Sequence, residues 1–255
     1  SFSDFTSPFP GKNANYFIGR LKYSLKGEDY FGMLYSGREF GDSFNRVLAG
    51  DLRFRLKGGH STSVNGLYTL SRHADPGEKT AGDAFSVLYD YAQKPLDMTF
   101  VMEGYSRDFR MDSAFYYQNG ITKFTGFIAP KFYPRARKGF SITRITPLVY
   151  GYYSHNRFSG LNDIYVQPGL RFSLSRNSYL ELDYSHIREG WLGRSYVQNL
   201  IEAYWGTVPA RWLNLHGSVS YGTALRYDFT DPFLGDKINI HIGAQFQPDD
   251  RISQA

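Results

Sequence analysis

The chain has 255 residues, no cysteine, 29 Lys and Arg against 24 Asp and Glu, and a pI near 9.2. The missing cysteines exclude a disulfide scaffold and Cys-ligated metal sites. The basic residues are spread among acids, with Arg135, Arg137 and Lys138 the densest run, so a nucleic-acid partner is not expected. Tyr, Phe and Trp reach 18% beside 26 glycines. That bias is foreign to α/β enzymes and suits barrels with aromatic girdles and tight turns.

Taken in chain order, the dominant pattern is alternation with period two over about ten residues, which predicts strands. Phe17–Leu25 and Tyr30–Phe40 come first. Asp51–Lys57 is clearest: Leu52, Phe54 and Leu56 share one face, with Asp51, Arg53, Arg55 and Lys57 on the other. Val64–Leu70, Phe85–Tyr91, Met98–Tyr105, Thr122–Ile128, Leu148–Tyr153, Val166–Leu174, Tyr179–Ile187 and Val197–Trp205 follow. Leu213–Tyr221 and Lys237–Phe246 alternate as clearly as the third segment. About thirteen strands result, each near the length that crosses an outer membrane. A helix over Asp51–Lys57 would carry charge all round, and no apolar run is long enough for a membrane helix.

The expected fold is therefore all-β, an antiparallel transmembrane up-and-down barrel in the outer membrane, occupying residues 1–255 as one domain. Aromatics near strand ends support it: Tyr30 and Phe31, Tyr116 and Tyr117, Phe132 and Tyr133, Tyr152 and Tyr153, Tyr227 and Phe229. Connections alternate in length. Lys26–Asp29, Gly58–Thr62, Lys94–Asp97, Ser175–Ser178 and Thr207–Arg211 are short, whereas His73–Gly82, Arg107–Asn119, Arg188–Ser195 and Arg226–Asp236 are longer. Short periplasmic turns and long outer loops would place residues 1–12 outside. An odd strand count with an outward start predicts a piece of a larger, even-stranded barrel with further strands in flanking sequence or another chain. The start at Ser1 rather than Met fits a mature or trimmed product.

The stretch Glu103-Gly-Tyr-Ser-Arg-Asp-Phe-Arg-Met-Asp-Ser-Ala-Phe115 resembles a family of Bacteroidetes and proteobacterial envelope proteins. In that family a barrel domain of unknown function follows a carbohydrate-binding module similar to family 9. The family shows a Gly, then Asp-Phe-Arg, then Asp-x-Gly-Phe; Gly104, Asp108, Phe109, Arg110, Asp112 and Phe115 match, and Ala114 departs. Val47-Leu-Ala-Gly-Asp-Leu-Arg-Phe54 is also similar to the family's strand after its first hairpins. The resemblance implies an outer-membrane barrel with more strands on both sides and an N-terminal sugar-binding-like module. It implies no activity.

Candidate chemistry is sparse. Tyr153-Ser-His-Asn-Arg-Phe-Ser159 invites comparison with outer-membrane phospholipases, but consecutive strand residues face opposite ways, and Ser154, His155, Asn156 and Ser159 read as a polar loop tip. His216 and His241 fall on polar faces of adjacent strands, as hydrated lumen residues rather than metal ligands. Glu181 and Asp183 share a face roughly 7 Å apart. With Glu202 they would line the lumen opposite a basic wall of Arg20, Lys22, Arg53, Arg55 and Lys57. Those two walls either orient solutes or brace the barrel, and the count favours bracing. Asp108, Arg110 and Asp112 read as a similar clasp at a loop base. No catalytic, cofactor or metal residues are assigned.

Three functions follow. The first is a non-enzymatic, porin-like passage, anchor or scaffold in the Gram-negative envelope. The second is an outer-membrane hydrolase of lipid or glycan. The third is a barrel subunit of a larger envelope or secretion complex. The expected partners are outer-membrane lipid and lipopolysaccharide, glycan through the N-terminal module, and other envelope proteins.

Overall fold

A computed structural model describes residues 13–72, 78–113, 118–135, 139, 141–249 and 252–254. Those residues contain no helix and form one antiparallel sheet whose hydrogen-bonded neighbours follow chain order, up and down. Thirteen long strands carry it: β1 (Asn15–Ser24), β2 (Tyr30–Phe40), β3 (Ser43–Leu56), β4 (His60–Arg72), β5 (Lys79–Gln93), β6 (Leu96–Tyr105), β7 (Ile121–Pro130), β8 (Ile142–Asn156), β9 (Asn162–Leu174), β10 (Ser178–Trp191), β11 (Arg194–Ala210), β12 (Leu213–Arg226) and β13 (Phe233–Asp249). A three-residue β14 (Ile252–Gln254) pairs with β13.

Every expected strand is present, most of them longer than the alternation alone marks. β3 begins eight residues before Asp51, because its ladder with β2 runs from Phe40 and Ser43 to Tyr30 and Arg53. Backbone pairing continues where side chains on both faces turn polar, and alternation no longer reports it. For the same reason Arg188–Ser195 is not a long connection. β10 and β11 pair out to Trp191 and Arg194, leaving Leu192 and Gly193, both at positive φ (49° and 76°), as a two-residue turn. Phe17 pairs with Gly37, and Phe246 with Leu213 and Gln254.

The chain divides into two compact units. The first comprises the described residues up to Tyr89 with Val101–Lys123 and Asn156–Phe158; the second comprises Asp90–Phe100, Phe124–His155 and the described residues from Ser159. Within each unit, the usual order of burial is inverted. On β10 of the second unit, Glu181, Asp183 and Ser185 are 8%, 5% and 1% exposed, while Leu182 and Tyr184 between and beside them are 46% and 43% exposed. In the first unit Asn45, Thr69 and Ser71 are buried, and Phe31, Met33, Leu48, Leu52 and Phe54 are exposed. Residues buried in the sheet are therefore largely polar and small, and the large apolar side chains stand on the open face.

Candidate functional site

The polar face of the second unit is a hydrogen-bonded lattice. Strand register sets it: Arg171 of β9 lies opposite Glu181 of β10, and Asp183 opposite Glu202 of β11. Arg171 Nε donates to Glu181 Oε2 at 2.5 Å, and Gln167 Nε2 donates to Asp183 Oδ2 at 3.0 Å. The Tyr165 hydroxyl donates to Gln167 Oε1 (2.8 Å) and lies 3.1 Å from the Ser185 hydroxyl. Glu202 accepts from Ser185 Oγ (3.3 Å) and from the Tyr204 hydroxyl (3.0 Å). Arg144 Nη2 donates to Ser173 Oγ at 3.2 Å. The three sequence-predicted acids thus do share one face. Arg171, Gln167, Tyr165 and Tyr204, which the sequence reading did not single out, hold them.

In the first unit Arg20, Lys22 and Arg55 also have near partners. Arg20 pairs with Asp51 at 2.8 Å, Arg55 with Glu28, and Lys22 Nζ stands 4.1 Å from the Tyr30 ring centroid. Arg53 shares the face of Arg55 and Asp51, opposite Leu52, Phe54 and Leu56, as the alternation requires; its buried Nε has no hydrogen-bond partner. Lys57 stands exposed in the turn after β3.

A second site forms where the β6–β7 connection folds onto the polar face of β2–β5, all within the first unit. Phe109 is 2% exposed and packs edge-on against Tyr105, with ring centroids 5.5 Å apart. Its backbone rests on Gly82 of β5, where any Cβ would collide with the Phe109 and Asp108 main chain. Asn45 of β3 makes the central contacts: Nδ2 donates to the Arg110 carbonyl and to Ser71 Oγ, both at 2.8 Å, and Oδ1 accepts from Asp112 N at 2.9 Å. Asp112 pairs with Arg110 (2.6 Å) and with Arg38 of β2 (3.1 Å), and Asn119 Nδ2 donates to the Phe109 carbonyl at 2.8 Å. Ser36 and Ser113 hydroxyls lie 2.7 Å apart.

The clasp expected at Asp108, Arg110 and Asp112 is thus a loop anchored on the sheet face, with Arg110 and Asp112 in it. Asp108 borders a small concavity with Thr80 and Arg107. Gly104 is not in the loop but on β6, beneath the Phe85 ring. Phe115 and Ala114 lie outside the described residues, as do Tyr116, Tyr117, His73, Arg137 and Lys138.

Ser154, His155 and Asn156 are not a loop tip: β8 runs through all three, because its ladder with β9 continues to His155 and Asn162. Ser154 is buried, His155 Nδ1 lies 2.7 Å from Asn162 Oδ1, and Ser159 Oγ accepts from Leu161 N at 3.2 Å. Adjacent positions on one strand keep Ser154 and His155 on opposite faces. Ser154→Ala and His155→Ala are therefore expected to leave esterase and phospholipase assays with calcium at the level of the parent protein. Turnover abolished by either change would install a nucleophile there. His216 and His241 do approach, at 5.8 Å between ring centroids. Among the described residues no group of three or more His, Asp or Glu converges to hold a metal ion.

Outside the strands, Asp228 in the β12–β13 connection accepts from Thr230 Oγ1 (2.7 Å), Thr230 N (2.8 Å) and Asp231 N (3.2 Å). These bonds, that of the Thr230 side chain first, lower its carboxyl pKa to about 2. A depressed carboxyl contributes its stabilisation fully above the ordinary value of 3.8, and that contribution disappears as pH falls through about 2. The Thr230 amide resonance should accordingly titrate with a midpoint near 2. A midpoint at 3.8 would show that the turn does not hold the charge.

No protein-family model matches the chain, and no curated protein matches it significantly.

Proposed function

We propose that this chain forms the wall of an outer-membrane β-barrel, a non-enzymatic passage whose polar interior is narrowed by the β6–β7 loop. The inverted burial carries the reading: Leu182 and Tyr184 stand open while Glu181, Asp183 and Ser185 are covered. In water that arrangement forfeits the hydrophobic contribution to folding, whereas in a bilayer it places apolar groups in hydrocarbon and polar groups in a hydrated lumen. Aromatic clusters beside the turns add support. Trp191 packs against Tyr227 and Phe229 (5.3 and 5.5 Å), and Trp212 against Phe246 (5.3 Å), in keeping with interfacial girdles.

In this reading Arg110 and Asp112 anchor the narrowing loop on the sheet face. β1 stands at one end of the sheet order. Bare backbone groups in hydrocarbon cost several kcal/mol each, so in this reading further strands complete the wall.

The test is refolding of the full chain from urea, with and without detergent or phospholipid vesicles. Folding that requires the amphiphile, with heat-modifiable electrophoretic mobility, is the expected result. A chain that folds cooperatively in plain buffer overturns the proposal.

A further inference from the structure

The polar face of the second unit carries an open concavity of about 750 Å3, bordered by Arg144, Gln167, Arg171, Tyr179, Glu181 and Tyr204. That volume is typical of small-ligand sites. We infer that it binds a neutral oligosaccharide, which names the solute class for the passage proposed above and rests on that reading for its transport role.

Three features select this chemistry. The first is charge: the lining holds two arginines and two carboxylates, Asp183 being the second acid, and Arg171 is already neutralised by Glu181. The concavity therefore offers an ion of either sign no net attraction. The second is shape. Guanidinium, carboxylate and amide groups are flat, with two donors or acceptors side by side, and they recur here at alternate positions of neighbouring strands. Such groups meet adjacent hydroxyls of one ring in pairs, as they meet other bidentate partners.

The third is Tyr179. Its ring lies over Gly206 of the neighbouring strand, where a Cβ would strike the ring, and the residue remains 40% exposed at the border of the concavity. The ring is seated on the neighbouring backbone, and the residue is still partly open to the concavity. An amphipathic aromatic face beside a row of planar polar groups matches a pyranose, which has an apolar C–H face and a hydroxyl rim.

The experiment is calorimetric titration of the refolded full chain with maltohexaose, cellohexaose and xylohexaose, and with an oligogalacturonate as charged comparison. At least one neutral hexasaccharide should bind saturably, at roughly millimolar Kd. Tyr179→Ala should weaken it about tenfold, and Tyr179→Phe should retain it within about twofold. Heat-modifiable mobility of each variant reports folding separately. No saturable binding of any neutral sugar, tighter binding of the oligogalacturonate, or indifference to Tyr179→Ala overturns the inference. A chain that folds without detergent sinks the membrane reading instead, and the same titration in buffer still decides the sugar site.

Discussion

Leu48→Arg is expected to lower the stability of the vesicle-inserted protein by about 2–4 kcal/mol, the range for a cation at the hydrocarbon midplane of a barrel's lipid face. Leu48 is exposed and sits near the middle of β3, on the same face as Leu52, Phe54 and Leu56. Phe54, close to the end of that strand, should lose only about 0–1 kcal/mol on the same change, because the penalty falls toward the interface. Arg53→Gln, on the polar face, should stay within about 0.5 kcal/mol. Urea unfolding in phospholipid vesicles reads all three. If Leu48→Arg were as mild as Arg53→Gln, the exposed face of β3 would not meet lipid.

Phe109→Ala should release the β6–β7 loop, at a loss of about 3–5 kcal/mol from the loop's docking, as for other buried aromatic truncations. Phe109 is a large apolar side chain of the clasp and is almost wholly covered. The polar contacts of Asn45 and Asp112 are oriented by the backbone that Phe109 fixes. The absence of native cysteine gives a clean reporter, because Ser36→Cys with Ser113→Cys places two thiols where hydroxyls lie 2.7 Å apart. Oxidation should join the pair in the parent background and much less in Phe109→Ala. Single-channel conductance in planar bilayers should rise with the truncation. Unchanged cross-linking and unchanged conductance together would mean that Phe109 does not hold the loop in a passage.

Strand positions were legible in the sequence because alternation is a local property. Leu52, Phe54 and Leu56 against Arg53 and Arg55 need no partner to be read. Strand ends were not legible, since hydrogen bonding past Gly190 or Ser154 depends on the neighbouring strand. The acids at 181, 183 and 202 were visible as one face, but their partners were not. Reflecting β10 through the turn at Ser175–Asn177 would have put Arg171 opposite Glu181, as the register does. The loop's resting place was hidden for a different reason. Its anchors are Asn45, Ser71 behind it, and Thr69, whose Oγ1 accepts from Arg110 N at 3.4 Å; they are small polar residues far along the chain, and nothing in their own neighbourhoods marks them. A lone Phe between Asp108 and Arg110 was the available hint, because an aromatic in so polar a stretch needs a covered place.

The alternation on β13 has a further consequence. Ile238, Ile240 and Ile242 are among the most exposed apolar residues of the chain, yet each is separated from the next by Asn239 or His241. Lys237, Asn239, His241 and Gln245 interrupt the segment, so no stretch of it reaches the ~18 consecutive apolar residues that a membrane-spanning helix needs. Hydrophobicity stored in this form is invisible until strands pair. In the barrel reading, a nascent chain so written would slip through a lipid membrane that halts uninterrupted apolar helices, and become lipid-soluble only on assembly in the next one.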